Sequence, residues 1–139
     1  MQFEFEVTGG DFANAGTASS QVKKILKQLN VSVSDIKRIV VALYEAEVNI
    51  VAHAYSGVVT VEIETTQVRI ILKDSGPGIP DIDLAMQQGY STASPEVREM
   101  GFGAGMGLPN IKRNMDVLNI SSEVGIGTTV EMIAFLNVA

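Results

Sequence analysis

Apolar and polar residues alternate in three segments of the chain, at residues 3–7, 59–64 and 68–73. An alternation of period two is typical of a β-strand with one buried face. The second and third segments are joined by a connection of hairpin length, which predicts antiparallel neighbours. Two further strands are predicted at residues 120–124 and 129–136, joined by a turn that contains two glycines.

Apolar residues recur at helical spacing in the remaining segments. They predict one helix from Phe12 to about Leu29, with Asp11 as its cap, and a second helix over residues 34–55. A short helix is predicted near residues 82–88, and a last helix from Gly107 carries an apolar stripe that extends to Leu118. Hairpins dominate over βαβ units in this order. We therefore predict an α+β fold, a two-layer sandwich of a mixed, mostly antiparallel sheet with helices on one face.

Composition narrows the class of protein. The chain has 139 residues and 46% hydrophobic content, which fit one globular domain. Ten Lys and Arg against sixteen Asp and Glu give a net charge of −6, so direct binding of nucleic acid is not expected. The absence of cysteine excludes disulfides and thiol chemistry. No signal peptide or bilayer-length apolar run is visible, so we expect a cytoplasmic protein without a membrane partner.

Three polar residues follow one another at intervals of four along the second helix: Glu45, Asn49 and His53. Residues at this spacing lie on one face of a helix. A carboxylate can accept a proton there, and an amide oxygen can ligate a hard cation such as Mg²⁺. The alternative is that these residues only solvate the exposed face of an amphipathic helix, with His53 as a hydrogen-bonding residue at its end.

A second motif, Asp74-Ser75-Gly76-Pro77-Gly78, follows the third predicted strand. A carboxylate at the end of an apolar strand can point into a pocket and accept a hydrogen bond from an amino group such as that of adenine. The two glycines let the backbone pass close to a flat ligand. As a pattern it is weak by itself, because ordinary turns are built from the same residue types.

The third motif is a glycine run at residues 101–107 that opens the last helix. Free amides at a helix N-terminus bind anions, and a triphosphate requires such a cradle. The pattern does not fit a dinucleotide fingerprint, since no strand precedes it, and no P-loop is present. A flexible hinge is the alternative interpretation.

Taken in order, the three motifs resemble those of the GHKL ATPase superfamily, which includes gyrase, Hsp90 chaperones, histidine kinases and MutL. Residues 44–54 and Ser91-Thr92 resemble the bacterial anti-sigma factor serine/threonine kinases, and residues 78–81 and 103–116 resemble the stress-response switch kinase. The resemblance covers about residues 3–135. It implies a Bergerat ATP-binding fold, a single histidine kinase-like ATPase domain over residues 1–139, and an ATP lid at about residues 89–106.

The resemblance also implies roles for individual residues. Glu45 corresponds to the general base, Asn49 to the Mg²⁺ ligand and Asp74 to the carboxylate that binds the adenine amino group. The other residues that it places around ATP are His53, Gly76, Gly78, Ile79, Gly103, Gly105, Met106, Gly107, Leu108, Thr128 and Thr129. Gly78 would lie along the base, the lid-end glycines near the phosphates, and one of the two threonines beside the adenine.

The function implied is a serine/threonine protein kinase that uses ATP and Mg²⁺. It would phosphorylate a STAS-domain anti-anti-sigma protein and regulate a sigma factor by partner switching, as a homodimer formed through the first strand and helix. The alternative is a nucleotide-dependent anti-sigma or activator binding module with little or no kinase activity. The detached ATP domain of a histidine kinase is disfavoured, because the one histidine, His53, lies inside the nucleotide-binding helix.

Overall fold

The computed structural model describes residues 1–87 and 107–137. The elements in these ranges are, in chain order, β1 (Gln2–Thr8), a 3₁₀ turn (Phe12–Asn14), α1 (Thr17–Gln28), α2 (Val33–His53), β2 (Ser56–Ile63), β3 (Gln67–Ser75), α3 (Ile82–Ala85), α4 (Gly107–Asn114), β4 (Val117–Glu123) and β5 (Gly127–Phe135). In these ranges no helix is long and apolar enough to cross a bilayer.

The strands form one sheet in the order β1-β2-β3-β5-β4. Every neighbouring pair in the described sheet is antiparallel, so the expected parallel component is not found there. The predicted α+β fold is otherwise confirmed. The strand β1 lies at one edge of the sheet, where its outer backbone groups are available for pairing. A homodimer through this edge stays a prediction.

The core lies between one face of the sheet and the helices α1, α2 and α4. Alternate strand residues and the apolar stripes of the helices fill it, among them Val22, Leu26, Ile39, Leu43, Val59, Val61, Val68, Ile70, Ile111 and Met132, all of which are fully buried. The opposite face of the sheet carries most of the charged and polar strand residues. There, Arg69 lies between Glu62 and Glu131, and Asn119 donates to Glu131. The described elements therefore form two layers, a sheet and a layer of helices, with an apolar core between them.

The helix α1 begins at Thr17, five residues after the predicted start at Phe12. Gly16 stands at the N-cap with a φ of +95°, a left-handed conformation that interrupts the helical pattern. No side chain of the N-cap closes this helix end, and Asp11 accepts hydrogen bonds from Asn14 instead. The carboxylate of Glu47, from α2, takes the capping role.

Glu47 is 2% exposed and accepts four hydrogen bonds at the start of α1. Its Oε2 accepts from the amides of Gly16 and Ala18, each at 3.1 Å. Its Oε1 accepts from the amide and the hydroxyl of Ser19, at 3.1 and 2.7 Å. A negative charge is favourable at a helix N-terminus, where amides are unpaired and the helix dipole is positive. Glu47 thus joins α1 to α2.

The last helix also differs from its prediction. It ends at Asn114, and Leu118 belongs to β4, which begins three residues before the predicted start at residue 120. Arg38 of α2 donates to the carbonyl of Asn114 at 3.2 Å and to Asp116 at 3.0 Å. Asp116 in turn accepts from the amide of Phe135 at 2.6 Å. These contacts from distant elements turn the chain out of the helix and into the sheet.

Candidate nucleotide site

The first part of the site lies where α4 packs on α2. Glu45 is half-buried, and its Oε1 accepts a hydrogen bond from Nδ2 of Asn110, in the first turn of α4, at 3.4 Å. Asn49, one turn further along α2, lies directly under Gly107. A Cβ placed on Gly107 would lie 3.0 Å from Oδ1 and 3.1 Å from Nδ2 of Asn49. The glycine at the end of the run therefore lets the start of α4 approach the Asn49 amide.

His53 is the last residue of α2. It is half-buried, and desolvation lowers the pKa of its imidazole below the ordinary value. Burial disfavours the charged form of a histidine, so the ring is neutral at neutral pH. A neutral ring at this position has one N–H that donates and one nitrogen that accepts, but it does not provide a cation for phosphate.

Asp74 lies at the end of β3, on the sheet face that the helices cover. Its strand partner is Gly57, and a Cβ on Gly57 would lie 2.9 Å from Cδ1 of Ile50 and 3.4 Å from Cβ of Asp74. Burial raises the pKa of the Asp74 carboxyl, and the amide of Thr128, which donates to Oδ1 at 3.1 Å, opposes this rise. A carboxyl held partly out of water is a common sign of a functional site.

The two glycines after Asp74 bring the turn against its neighbours. A Cβ on Gly76 would lie 3.0 Å from the Cα of Ala54, just beyond α2, and 3.4 Å from Oδ1 of Asp74. Gly78 has a φ of +77°, and a Cβ there would lie 2.6 Å from the carbonyl oxygen of Glu123. In this structure the close approach of both glycines is to the protein backbone. That Gly78 also lies along a base stays a prediction.

One threonine of the predicted pair contacts Asp74. Thr128 is 8% exposed and lies on the same sheet face as Asp74, whereas Thr129, the strand partner of Lys73, lies on the opposite face. The hydroxyl of Thr128 is 2.8 Å from that of Ser122 in β4. The amide of Ile79 donates to the same Ser122 oxygen at 2.7 Å. Ser122 was missed by the motifs, since a serine in a strand has no local pattern that marks it.

The two parts are joined by α2, because Glu45 and Asn49 lie along this helix and Gly76 packs against Ala54 just past its end. Glu45 and His53, the last residue of α2, are eight positions apart, which corresponds to roughly 12 Å of helix. Gly107 packs against Asn49 on this side of α2, while Leu108 is buried in the core. The predicted site residues Gly103, Gly105 and Met106, and the predicted lid at about residues 89–106, lie outside the described residues.

Comparisons with known proteins show the family of this chain. The family model of the histidine kinase-like ATPase domain matches residues 10–134. The serine/threonine-protein kinase RsbT of Bacillus subtilis is 35% identical over 118 residues, covering 82% of this chain and 83% of the relative. An anti-sigma F factor of Pasteuria penetrans is 36% identical over 140 residues, covering 96% of this chain and 88% of the relative.

A crystal structure of the RsbU and RsbW domains of a Mycobacterium tuberculosis protein matches 99% of this chain with a TM-score of 0.64 and 21% identity. The chain spans 34% of that longer protein, and the likeness concerns the fold. The superfamily predicted from the three motifs is confirmed by these matches. This chain belongs to the histidine kinase-like ATPase domain family.

Proposed function

We propose that this protein is a cytoplasmic serine/threonine protein kinase that binds MgATP along α2. It transfers the γ-phosphoryl group to a STAS-domain anti-anti-sigma protein and so regulates a sigma factor by partner switching. The observation that carries this proposal is the half-buried Asp74, which lies near the C-terminal end of α2, the helix that carries Glu45 and Asn49. Relatives named as a serine/threonine kinase and as anti-sigma factors support the same class.

The adenine end of the site is built from Asp74 and Thr128. Oδ1 of Asp74 is held by the Thr128 amide, which leaves Oδ2 to accept a hydrogen bond from the adenine amino group. A charged acceptor in a partly desolvated site makes a stronger hydrogen bond than a neutral one. Partial burial of this carboxylate costs free energy of solvation, and this cost raises the pKa of Asp74. That cost is explained if the group serves a ligand.

The phosphate end is built from Asn49, Gly107 and Glu45. The described residues contain no cluster of three or more His, Asp or Glu side chains able to hold a metal by themselves. Mg²⁺ is commonly bound by one or two protein oxygens together with phosphate oxygens and water, so Oδ1 of Asn49 suits it. When bound, the ion neutralises phosphate charge.

Glu45 would act as the base. Its carboxylate takes the proton of the substrate hydroxyl as that oxygen forms the bond to the γ-phosphorus and the bond to the ADP oxygen breaks. Phosphoryl transfer depends mainly on positioning and charge neutralisation, so one base, one metal and a cradle of amides suffice. The alternative, a binding module with little kinase activity, is favoured by the Asn110 contact, because this contact occupies Oε1 of Glu45.

Replacing Asp74 by asparagine tests the adenine end. We expect the dissociation constant of ATP to rise about 10- to 100-fold, the range of a lost hydrogen bond to a charged group. Calorimetry with the full chain and MgATP measures it. Glu64→Gln, at the exposed turn between β2 and β3, removes one charge far along the sheet and serves as the matched control. Unchanged ATP affinity in Asp74→Asn would contradict the adenine contact.

The same variant makes a prediction about stability. Because folding raises the pKa of Asp74, the folded state holds its proton more tightly, and stability falls as pH rises through the range above the ordinary pKa. Asparagine removes the buried charge and keeps an oxygen for the Thr128 amide. Asp74→Asn should therefore be as stable as the wild type or more stable near neutral pH, with a smaller advantage at about pH 4. A marked loss in urea unfolding at neutral pH would assign Asp74 a structural role.

Replacing Asn49 by alanine tests the metal ligand. We expect the affinity for ATP to become nearly independent of Mg²⁺, since the variant lacks the protein oxygen that links the ion to α2. Titrations with Mg²⁺ and with EDTA measure this dependence. Asn119→Ala, on the open face of the sheet, is the matched control and should keep the metal dependence of the wild type. A persistent Mg²⁺ requirement in Asn49→Ala would refute the assignment.

A further inference from the structure

Ser122 lies at the centre of a small hydroxyl network between β4, β5 and the turn after β3. Its Oγ accepts the amide of Ile79 at 2.7 Å, donates to the carbonyl of Gly127 at 3.2 Å and lies 2.8 Å from the hydroxyl of Thr128. It therefore contacts one residue of the glycine turn and the threonine beside Asp74.

The number of hydroxyl protons in this network determines which group donates and which accepts in each hydrogen bond. A serine hydroxyl has one proton to donate and lone pairs that accept. If the Ser122 proton goes to the carbonyl of Gly127, its oxygen accepts from both Ile79 and the Thr128 hydroxyl. This is the one assignment that satisfies all three contacts at once. The proton of Thr128 then points at Ser122, and its lone pairs point away from the network.

The consequence is that Asp74 and Thr128 present only acceptors to a ligand. The amide proton of Thr128 is already donated to Asp74. Resting on the adenine site proposed above, we propose that Ser122 is a positioning residue that makes the site select a 6-aminopurine nucleotide over a 6-oxopurine nucleotide. At the 6-position, the amino group has two hydrogens and donates one to Asp74 and one to Thr128, whereas a 6-oxo oxygen in the same place would face the lone pairs of both groups without a proton between them. A site built to pair a donor rejects an analogue that lacks it.

The experiment measures the ratio of the dissociation constants of inosine triphosphate and ATP, by calorimetry with the full chain. Ser122→Val and Ser122→Thr have the same shape and both suit a strand, but only threonine keeps the hydroxyl. We expect Ser122→Val to reduce the ratio about tenfold, because the Thr128 hydroxyl can then rotate and donate. Ser122→Thr should retain the wild-type ratio. Ser121→Ala, the exposed neighbour on the other sheet face, should also retain it.

Equal weakening of both nucleotides by Ser122→Val would mean that the serine only supports the turn, and would overturn the inference. So would wild-type affinity for both nucleotides in Ser122→Val. If Ser122→Val does not fold, Ser122→Ala takes its place in the comparison with threonine. Asp74→Asn separates this failure from that of the proposed function. A weakened ATP affinity in Asp74→Asn with an unchanged ratio in Ser122→Val rejects the role of Ser122 alone, whereas unchanged ATP affinity in Asp74→Asn rejects the adenine site and the inference with it.

Discussion

Replacing Glu45 by glutamine is expected to reduce phosphoryl transfer to a STAS-domain partner by about 10²- to 10⁴-fold, the usual contribution of a general base. Glutamine has nearly the shape of glutamate and can still accept from Nδ2 of Asn110 through its own oxygen. It cannot take the proton of the attacking hydroxyl at neutral pH. Transfer of radioactive phosphate from ATP to the partner protein, in single-turnover conditions, measures the effect.

Two further measurements make this result specific. ATP affinity and the partner complex should both survive in Glu45→Gln, because the adenine end of the site is unchanged. A variant that transfers phosphate as fast as the wild type would contradict the role of Glu45. A wild-type protein that binds ATP and its partner but never labels the partner would favour the binding module.

Replacing Glu47 by alanine should lower the free energy of unfolding by about 3–5 kcal/mol, as for the loss of one partner of a buried charged network. Alanine leaves the amides of Gly16, Ala18 and Ser19 without their acceptor. It also opens space next to a cavity of about 180 Å³ between β1, the start of α1 and α2, which Glu47 lines with Val7 and Thr17. Urea unfolding followed by circular dichroism measures the change.

The controls for this prediction come from the same chain. Glu47→Gln should be intermediate, because an amide has one accepting oxygen and turns its NH₂ toward donors. Glu64→Ala, an exposed position, should stay within about 0.5 kcal/mol of the wild type. Wild-type stability in Glu47→Ala would show that the cap is dispensable. Glu45 and Glu47 lie two residues and about 200° apart around α2. We therefore expect replacement of Glu45 to reduce phosphoryl transfer and replacement of Glu47 to reduce stability.

Most of the fold was predictable because its signals are local. The period-two alternations became β1, β2 and β3, and the long apolar stripe became α2, capped by Ser32, whose hydroxyl accepts from the amide of Asp35 at 3.2 Å. The predictions were wrong where a distant group decided the outcome. Helix α1 starts at Thr17 because Gly16 interrupts the pattern and Glu47 caps the end. Leu118 lies in β4 rather than in the last helix, because the contacts of Arg38 and Asp116 turn the chain into the sheet.

The sequence by itself determined the order of the elements, the face of α2 that carries Glu45 and Asn49, and the motifs that indicated an ATPase. These depend on residues within a few positions of one another, and periodicity and residue type express them directly. The tertiary structure alone decided that Thr128 rather than Thr129 faces Asp74, that Ser122 joins Ile79 to Thr128, and that Glu47 is a cap. Apart from the contact between Ser122 and Thr128, those contacts join residues 28 to 54 positions apart, and they exist only once strand register and helix packing bring the groups together.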